Sequence, residues 1–250
     1  MSQIIALTNQ KGGVGKTTLS TGLAGALIRH KKKVLFIDCD QQCNSTDTYH
    51  AIVKEQSTLY DVLVEGDSIT DAIQHTDLGD IVACDPLLAE AEQKITAVGK
   101  EYRLKEALDP ISDIYDYIIL DTPPQLGIML INCLTAANEL IIPVTPDRYS
   151  LQGLEQLLLS ISQCRKYSNP SLKVKGIVLN KYIERENLTQ DVLCDLPRIS
   201  EMMNTQVFDT YIRASTAARK AQANRKGIFQ SAPYCTTARD IDNLAKELEL

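Results

Sequence analysis

Lys11-Gly-Gly-Val-Gly-Lys-Thr17 follows a short apolar run, Ile4-Ile-Ala-Leu7, and precedes a helical pattern from Thr18 to His30. Strand, glycine-rich loop and helix in that order form the context in which a loop can cradle phosphates. Glycines let successive backbone N–H groups turn inward at a helix N-terminus, where the dipole also favours anions. Lys16 can then reach the β- and γ-phosphates of a nucleoside triphosphate, and the Thr17 hydroxyl can ligate Mg²⁺.

The general pattern G-x-x-x-x-G-K-[ST] places glycine at position 10, where this chain has Gln10. A second lysine, Lys11, stands at the start of the loop instead. The segment reads as a nucleotide site rather than as a glycine-rich turn carrying two surface lysines.

The fold follows from the order of elements around this loop. The runs Ile4–Thr8, Val34–Ile37, Ile81–Cys84, Tyr117–Leu120, Leu140–Val144 and Val174–Leu179 are short and nearly all apolar, with a possible seventh at Val207–Tyr211. Strands covered on both faces have that composition. Helical patterns lie between them. The clearest is Leu151, Leu154, Leu157, Leu158 and Ile161, a core stripe too short for a coiled-coil seam. Alternating strands and helices predict an α/β protein with a doubly wound, mainly parallel sheet flanked by helices; with a phosphate-type loop after the first strand, the P-loop NTPase fold is expected. Ligands in such sheets bind at the carboxyl ends of the strands. Thr8, Asp38 and Asp121 each stand at such an end, so three segments are expected to converge on one crevice.

The order K-G-G-x-G-K-[ST], with a lysine opening the loop, resembles the deviant Walker A loop of the ParA/MinD ATPases. Their aspartate motif D-x-D-P-Q-x-N-x-T is matched at Asp38, Asp40, Gln42, Asn44 and Thr46, with Gln41 replacing proline and Cys43 a residue that is often glycine. A third strand ending in Asp121-Thr-Pro-Pro124 is similar to their next motif. So is the proline-containing strand Leu140-Ile-Ile-Pro-Val-Thr-Pro-Asp147, followed by a leucine-rich helix from Tyr149 to Leu159. These four motifs span residues 1–160; the remaining third matches only loosely.

Triphosphate chemistry and the resemblance together suggest roles. Backbone amides from Gly12, Gly13, Val14, Gly15, Lys16, Thr17 and Thr18 are expected to hold the phosphates, with Lys16 across the β/γ oxygens and Thr17 on Mg²⁺. Asp121 is expected to reach the metal through water. The resemblance implies that Asp40 orients or deprotonates the attacking water and that Asp38 tunes the metal site and the loop, although the two roles are exchangeable. It also implies that Lys11 crosses to a partner subunit's phosphates, which would make ATP a dimerisation switch. Asn180, at the end of a strand, resembles the position that contacts the purine, or it simply caps the strand. The guanine-type N-K-x-D signature is absent, since Glu184 follows Tyr182 and Ile183.

Length, composition and charge bound the remaining possibilities. The chain has 250 residues, 44% hydrophobic and 23% charged, with no linker-like break; it reads as one ATPase domain, 1–250. No apolar run has the length to span a bilayer, no secretory core opens the chain, and no helix-turn-helix module precedes the loop. Seven cysteines without a C-x-x-C pair argue against a disulfide framework or a zinc site and for a reducing cytoplasm. Cys39, between two site aspartates, is expected to point away from them by strand alternation.

Net charge is −6, yet Thr210 to Arg239 contains no acidic residue and holds Arg213, Arg219, Lys220, Arg225, Lys226 and Arg239. In the resembled family this region supplies a basic face for nonspecific DNA, exposed across the ATP dimer. The resemblance therefore implies a cytoplasmic, nucleoid-associated partition ATPase working with a ParB-like centromere-binding partner. A solvated helix surface is the alternative for those cations. A MinD-like membrane-positioning ATPase is disfavoured because the chain ends in an acidic segment, Asp240 to Leu250. An iron–sulfur carrier is disfavoured because Cys84 and Cys133 lack cluster spacing. A nucleotide-gated adaptor that uses hydrolysis only as a timer shares the same switch. Two short amphipathic helices are expected at Leu59, Val62, Leu63 and at Ile69, Ala72, Ile73.

Overall fold

In the computed structural model, which describes residues 1–147, 150–183 and 187–249, eight strands form a single sheet. They are β1 (Gln3–Leu7), β2 (Val34–Asp38), β3 (Ile73–Thr76), β4 (Gly79–Val82), β5 (Tyr117–Asp121), β6 (Glu139–Val144), β7 (Lys173–Tyr182) and β8 (Ile212–Arg213). Spatial order is β3-β4-β2-β5-β1-β6-β7-β8. Every pairing is parallel except β3 with β4.

The helices are α1 (Lys16–Arg29), α2 (Asn44–Tyr49), α3 (Ile69–Ala72), α4 (Ala91–Lys94), α5 (Arg103–Leu108), α6 (Ile128–Ala136), α7 (Ser150–Tyr167), α8 (Asn187–Met202), α9 (Thr216–Ala223), α10 (Ile228–Ser231) and α11 (Thr236–Glu249).

Side-chain alternation along the strands sorts the core into two layers. Ala6, Leu35, Ile37, Ile118, Leu120, Leu140, Ile142, Ile177 and Leu179 face one layer, which α5, α6, α7 and α8 cover. Ile5, Leu7, Val34, Phe36, Ile119, Ile141 and Val178 face the other, which α1 and α11 cover. The doubly wound expectation therefore holds. In the α7 stripe Leu154, Leu157 and Ile161 are buried and Leu158 is half-buried; the Leu151 side chain and Tyr149 lie outside the described residues.

Two expectations need correction. Ile69, Ala72 and Ile73 have helical spacing, but the helix lasts a single turn to Ala72, and Ile73 (φ −72°, ψ 124°) opens an edge strand. A hairpin forms because Gly79 adopts φ +118° and the Thr76 hydroxyl closes the turn, donating to the Gly79 carbonyl at 2.8 Å and accepting from the Leu78 amide at 3.2 Å. The final strand is Ile212–Arg213, not Val207–Tyr211. Within the expected run only Val207 bridges, to Ile177. Phe208 packs instead against Gly176, where an added Cβ would lie 2.5 Å from its ring.

The acidic C-terminal stretch is a core element. Ala238, Ile241, Leu244, Ala245 and Leu248 of α11 are buried against α1. Among the described residues no helix is long and apolar enough to cross a membrane.

Candidate nucleotide site

β1, β2 and β5 are adjacent or share a neighbour, with Leu7 and Asp38 both in register with Asp121. That register gathers the carboxyl ends of three strands beside the N-terminus of α1. The glycine-rich loop enters the helix through two left-handed residues, Gly13 (φ +75°) and Gly15 (φ +89°). At Gly15 the backbone also passes so close to β7 that a Cβ would lie 2.4 Å from Asn180 Nδ2.

β7 holds the loop from that side. Asn180 Nδ2 donates to the Val14 carbonyl at 2.7 Å, and Lys181 Nζ donates to the Gly13 carbonyl at 2.7 Å. Asn180 Oδ1 accepts from the Lys181 amide at 2.9 Å, which fixes Lys181 at φ +58°. With these carbonyls engaged, the amides remain the loop's donors for an anion. Asn180 is thus 6% exposed and committed to the loop. Lys181, which the sequence offered together with Asn180 as a purine-contact stretch, is its companion on the loop.

Lys16 is 7% exposed, and its ammonium donates to the Asn9 carbonyl at 3.1 Å. Burial lowers its pKa, opposed by the charges of Asp121 and Asp40. Asn9 organises the loop's opening: its Nδ2 donates to the Pro143 carbonyl at 2.8 Å and its Oδ1 accepts from the Lys11 amide at 2.9 Å. Nothing in the sequence pattern marks Asn9, because its partners come from β6 and from the loop itself.

The aspartates sit at different depths. Asp121 is buried, and its Oδ2 accepts from Ser45 Oγ at 2.7 Å, while Oδ1 is buried without a hydrogen-bond partner among the described residues. Burial pushes its carboxyl up to about 6, against the stabilising effects of the Ser45 and Thr17 hydroxyls and of Lys16. Asp38 is fully buried, and its oxygens serve the following loop. Oδ2 accepts from the Thr46 amide and hydroxyl, both at 2.8 Å, and Oδ1 from the Asp40 amide at 3.2 Å. Burial first, then the charge of Asp121, raises it to about 7. Asp40 Oδ1 accepts from the Gln42 amide at 3.1 Å.

Cys43, where the motif often has glycine, adopts φ +53° at the start of α2. A left-handed residue is required there, and this chain places a side chain in it. Cys39 is buried in the layer opposite α1, as alternation requires. Its thiol is pushed well above the usual range, first by the Cys133 thiol and then by burial.

Lys11 does not lie with Lys16. Its ammonium forms an ion pair with Asp147, beyond the end of β6, and both side chains are about one-third exposed, at 28% and 32%. Asp147 also accepts from the Thr145 hydroxyl at 2.6 Å.

The basic residues are not equivalent. Arg213 pairs with Asp240 through Nε at 2.9 Å and a terminal nitrogen at 2.5 Å. With Arg219 it lines a cleft of about 600 Å³ that also touches Gly15, Thr18 and Asn180. Arg225 reaches Asp47 at 3.5 Å. Arg219, Lys220 and Lys226 are exposed and make no ion pair among the described residues. Acids distant in sequence, Asp47 and Asp240, return in space to two cations that read as unopposed along the chain. Glu184 lies outside the described residues.

A glycine-rich loop opening a helix, a buried lysine beneath it and two buried strand-end carboxyls beside it define a P-loop nucleotide-binding α/β protein. A family model described as an AAA domain matches residues 2–174. The sporulation initiation inhibitor protein Soj of Bacillus subtilis is 36% identical over 252 residues, covering 99% of this chain and 98% of Soj. The chromosome partitioning protein ParA of Caulobacter vibrioides is 32% identical, covering 98% and 93%. A cobyrinic acid a,c-diamide synthase from Mycobacterium smegmatis, solved with ADP and magnesium, superposes with a TM-score of 0.86 at 28% identity, covering 100% of this chain and 94% of that one. The chain belongs to the Soj/ParA family of partition ATPases.

Proposed function

We propose that the protein is an ATP-dependent dimerising ATPase of ParA type, which binds nonspecific DNA as its ATP-bound dimer and moves a plasmid or chromosome with a ParB-like partner. The observation that carries this reading is the separation of the two loop lysines. Lys16 is buried under the loop, where it would serve its own phosphates, whereas Lys11 projects to a position outside that pocket, about one-third exposed. A cation so placed suits a phosphate presented by a second copy. Cations supplied in trans contribute roughly 10³–10⁵-fold to phosphoryl transfer.

The residues fit Mg²⁺. Asp121 Oδ1 is a buried carboxylate oxygen with no hydrogen-bond partner within normal geometry among the described residues, and the Thr17 hydroxyl is close enough to stabilise its charge. Thr17 would hold the ion directly, and Asp121 through water. Mg²⁺ would neutralise charge on the β- and γ-oxygens. Loop amides from Gly12 to Thr18 hold and orient the phosphates, and Lys16 balances their charge. Asp40, whose Oδ1 accepts only from the Gln42 amide among the described residues, is the aspartate that would orient the attacking water. Asp38, whose oxygens serve Thr46 and Asp40, holds the segment that carries Asp40. The cleft beside Gly15 and Asn180 has room for the nucleoside.

Arg219, Lys220 and Lys226 are the cations best placed to meet DNA phosphates. Arg213 and Arg225 have first to leave Asp240 and Asp47, or to share them. Each phosphate neutralised steepens the log–log salt dependence by about 0.9, so doubling the contacts by dimerisation turns weak monomer binding into useful affinity. Co-sedimentation with DNA in ATP, in ADP and without nucleotide tests the coupling. Binding confined to the ATP sample and lost at high salt is expected. Equal binding in all three would overturn it. The apolar face of α11 is buried against α1, so that face is not offered to lipid.

A further inference from the structure

We infer that Cys43 and Cys84 form an oxidation site, where a hydroperoxide joins the two sulfurs in a disulfide that ties down the segment carrying Asp40. The link needs only the two thiols; its effect on turnover rests on the role proposed for Asp40.

Three observations bring the side chains together. The Thr46 hydroxyl accepts from the Cys84 amide at 2.8 Å, which sets the chain just past β4 against the first turn of α2. Cys43 heads that turn, its carbonyl accepting from the Asp47 amide at 3.0 Å, and residues three apart share a helix face. Cys43 therefore stands on the face of Thr46 that meets Cys84, and its side chain packs into the buried layer that holds Cys84. The two thiols are in mutual hydrogen-bond contact.

The pair is unequal, and the inequality sets the order of steps. Cys43 is half-buried and meets solvent, whereas Cys84 is buried. The Cys84 thiol is pushed well above its usual range, first by Cys43 and then by burial, so it keeps its proton. Cys43 takes the oxidant: its sulfur attacks one peroxide oxygen, the O–O bond breaks, water or an alcohol leaves, and a sulfenic acid forms. The Cys84 sulfur then displaces the sulfenic oxygen, which leaves as water with the Cys84 proton. Two thiols lose two electrons and one peroxide gains them. An external dithiol reverses the link and is itself oxidised to a disulfide. The thiols of Cys39 and Cys133 also touch, but both are fully buried and shielded from oxidant.

Cys43 is held at φ +53°, where glycine is the comfortable residue, and a side chain kept at such a position marks one that is used. The Asp40 carbonyl accepts from the Cys43 amide at 2.8 Å, while Ser45 and Thr46 bond Asp121 and Asp38. A covalent tie from Cys43 to the end of β4 restrains the stretch that arranges all three aspartates. It leaves the phosphate loop untouched.

The test uses the full chain with Cys194→Ser, which removes an exposed thiol able to join two copies. The protein is treated with hydrogen peroxide, alkylated, digested and analysed by mass spectrometry without reduction. A peptide linking Cys43 to Cys84, lighter than its parts by two hydrogens, is expected, with Cys39, Cys133 and Cys164 still thiols. ATP turnover is expected to fall by about ten- to a hundredfold, the loss that a small misplacement of a positioned group brings, and to return with dithiothreitol. Nucleotide affinity by calorimetry is expected to be unchanged. Cys43→Gly, which suits the left-handed backbone, and Cys84→Ala should each resist the loss. Both thiols still alkylated after peroxide, or Cys43 carried to a sulfinic acid without the link, overturns the site. The link without loss of turnover, or equal loss in the two variants, overturns its hold on Asp40. A reduced protein with no ATP turnover overturns the ATPase reading instead, and the linked peptide still decides the oxidation site.

Discussion

Gly15 carries two constraints at once, a left-handed backbone and a neighbouring amide 2.4 Å from where a side chain would begin. Gly15→Ala is therefore expected to cost about 1–2 kcal/mol in backbone strain alone and to displace Asn180. Calorimetric titration should show nucleotide affinity falling at least tenfold. Thr46 is a second such point, since its hydroxyl donates to Asp38 Oδ2 and accepts from the Cys84 amide, both at 2.8 Å. Thr46→Val leaves the buried Cys84 amide without its acceptor and removes one of the two hydrogen bonds to Asp38 Oδ2, so urea unfolding should show a loss of about 1–3 kcal/mol. Asp121 gives a pH dependence. Burial holds its carboxyl at about 6, so protons compete with Mg²⁺ below that value. Nucleotide affinity in Mg²⁺ is expected to weaken as pH falls from 7 to 5, while affinity without Mg²⁺ stays nearly level. The linkage has the opposite sign for the empty protein. Folded Asp38 and Asp121 retain protons that the unfolded chain releases near 3.8, so their contribution to stability declines as pH rises from about 4 to 7. At this scale the meeting of the loop glycines, Lys16 and the three aspartates in one crevice was legible in the sequence, because each lies at or just after the end of an apolar strand. Asn9 and Ser45 were not, because each acts through a partner far along the chain.

At the scale of elements, the helix that packs beneath the nucleotide loop depends on the far end of the chain. α1 stops where Lys31, at φ +66°, lets its own amide and that of Lys32 bond back to the Ile28 and Leu27 carbonyls. Gly22 on α1 leaves only 2.7 Å between an added Cβ and Ile241 Cδ1 on α11. Leu244→Ala, a fully buried truncation in that contact, is expected to cost about 2–5 kcal/mol by urea unfolding and to leave nucleotide affinity unchanged in the folded fraction. The sequence showed α11 only as an acidic ending. Its acids have structural partners: Asp242 bonds His30 and Lys246, and Glu247 accepts from the amides of Asp209 and Thr210. The central strands were readable as apolar runs because helices cover both faces. The β3–β4 hairpin was not, since a four-residue half-buried edge strand has too little alternation to compete with the helical spacing just before it. The two-residue β8 escaped for the same reason, being set by its pairing with β7 rather than by its own composition.

At the scale of the whole molecule, an acidic protein with a net charge of −6 is proposed to gain a DNA-binding surface by pairing. Charge counted along the chain overstated that surface, because Arg213 and Arg225 meet carboxylates that only folding brings near. Substituting Lys220 and Lys226 together with alanine should reduce the slope of log affinity against log salt by about 2 for each subunit engaged, while leaving dimerisation intact. Everything proposed for the working state depends on triphosphate joining two copies through Lys11. The most direct measurement is the sedimentation coefficient of wild type and Lys11→Ala, each saturated with Mg²⁺ and a nonhydrolysable ATP analogue. The account predicts a dimer for wild type and a nucleotide-loaded monomer for the variant. A wild-type protein that binds the analogue and still sediments as a monomer would contradict it.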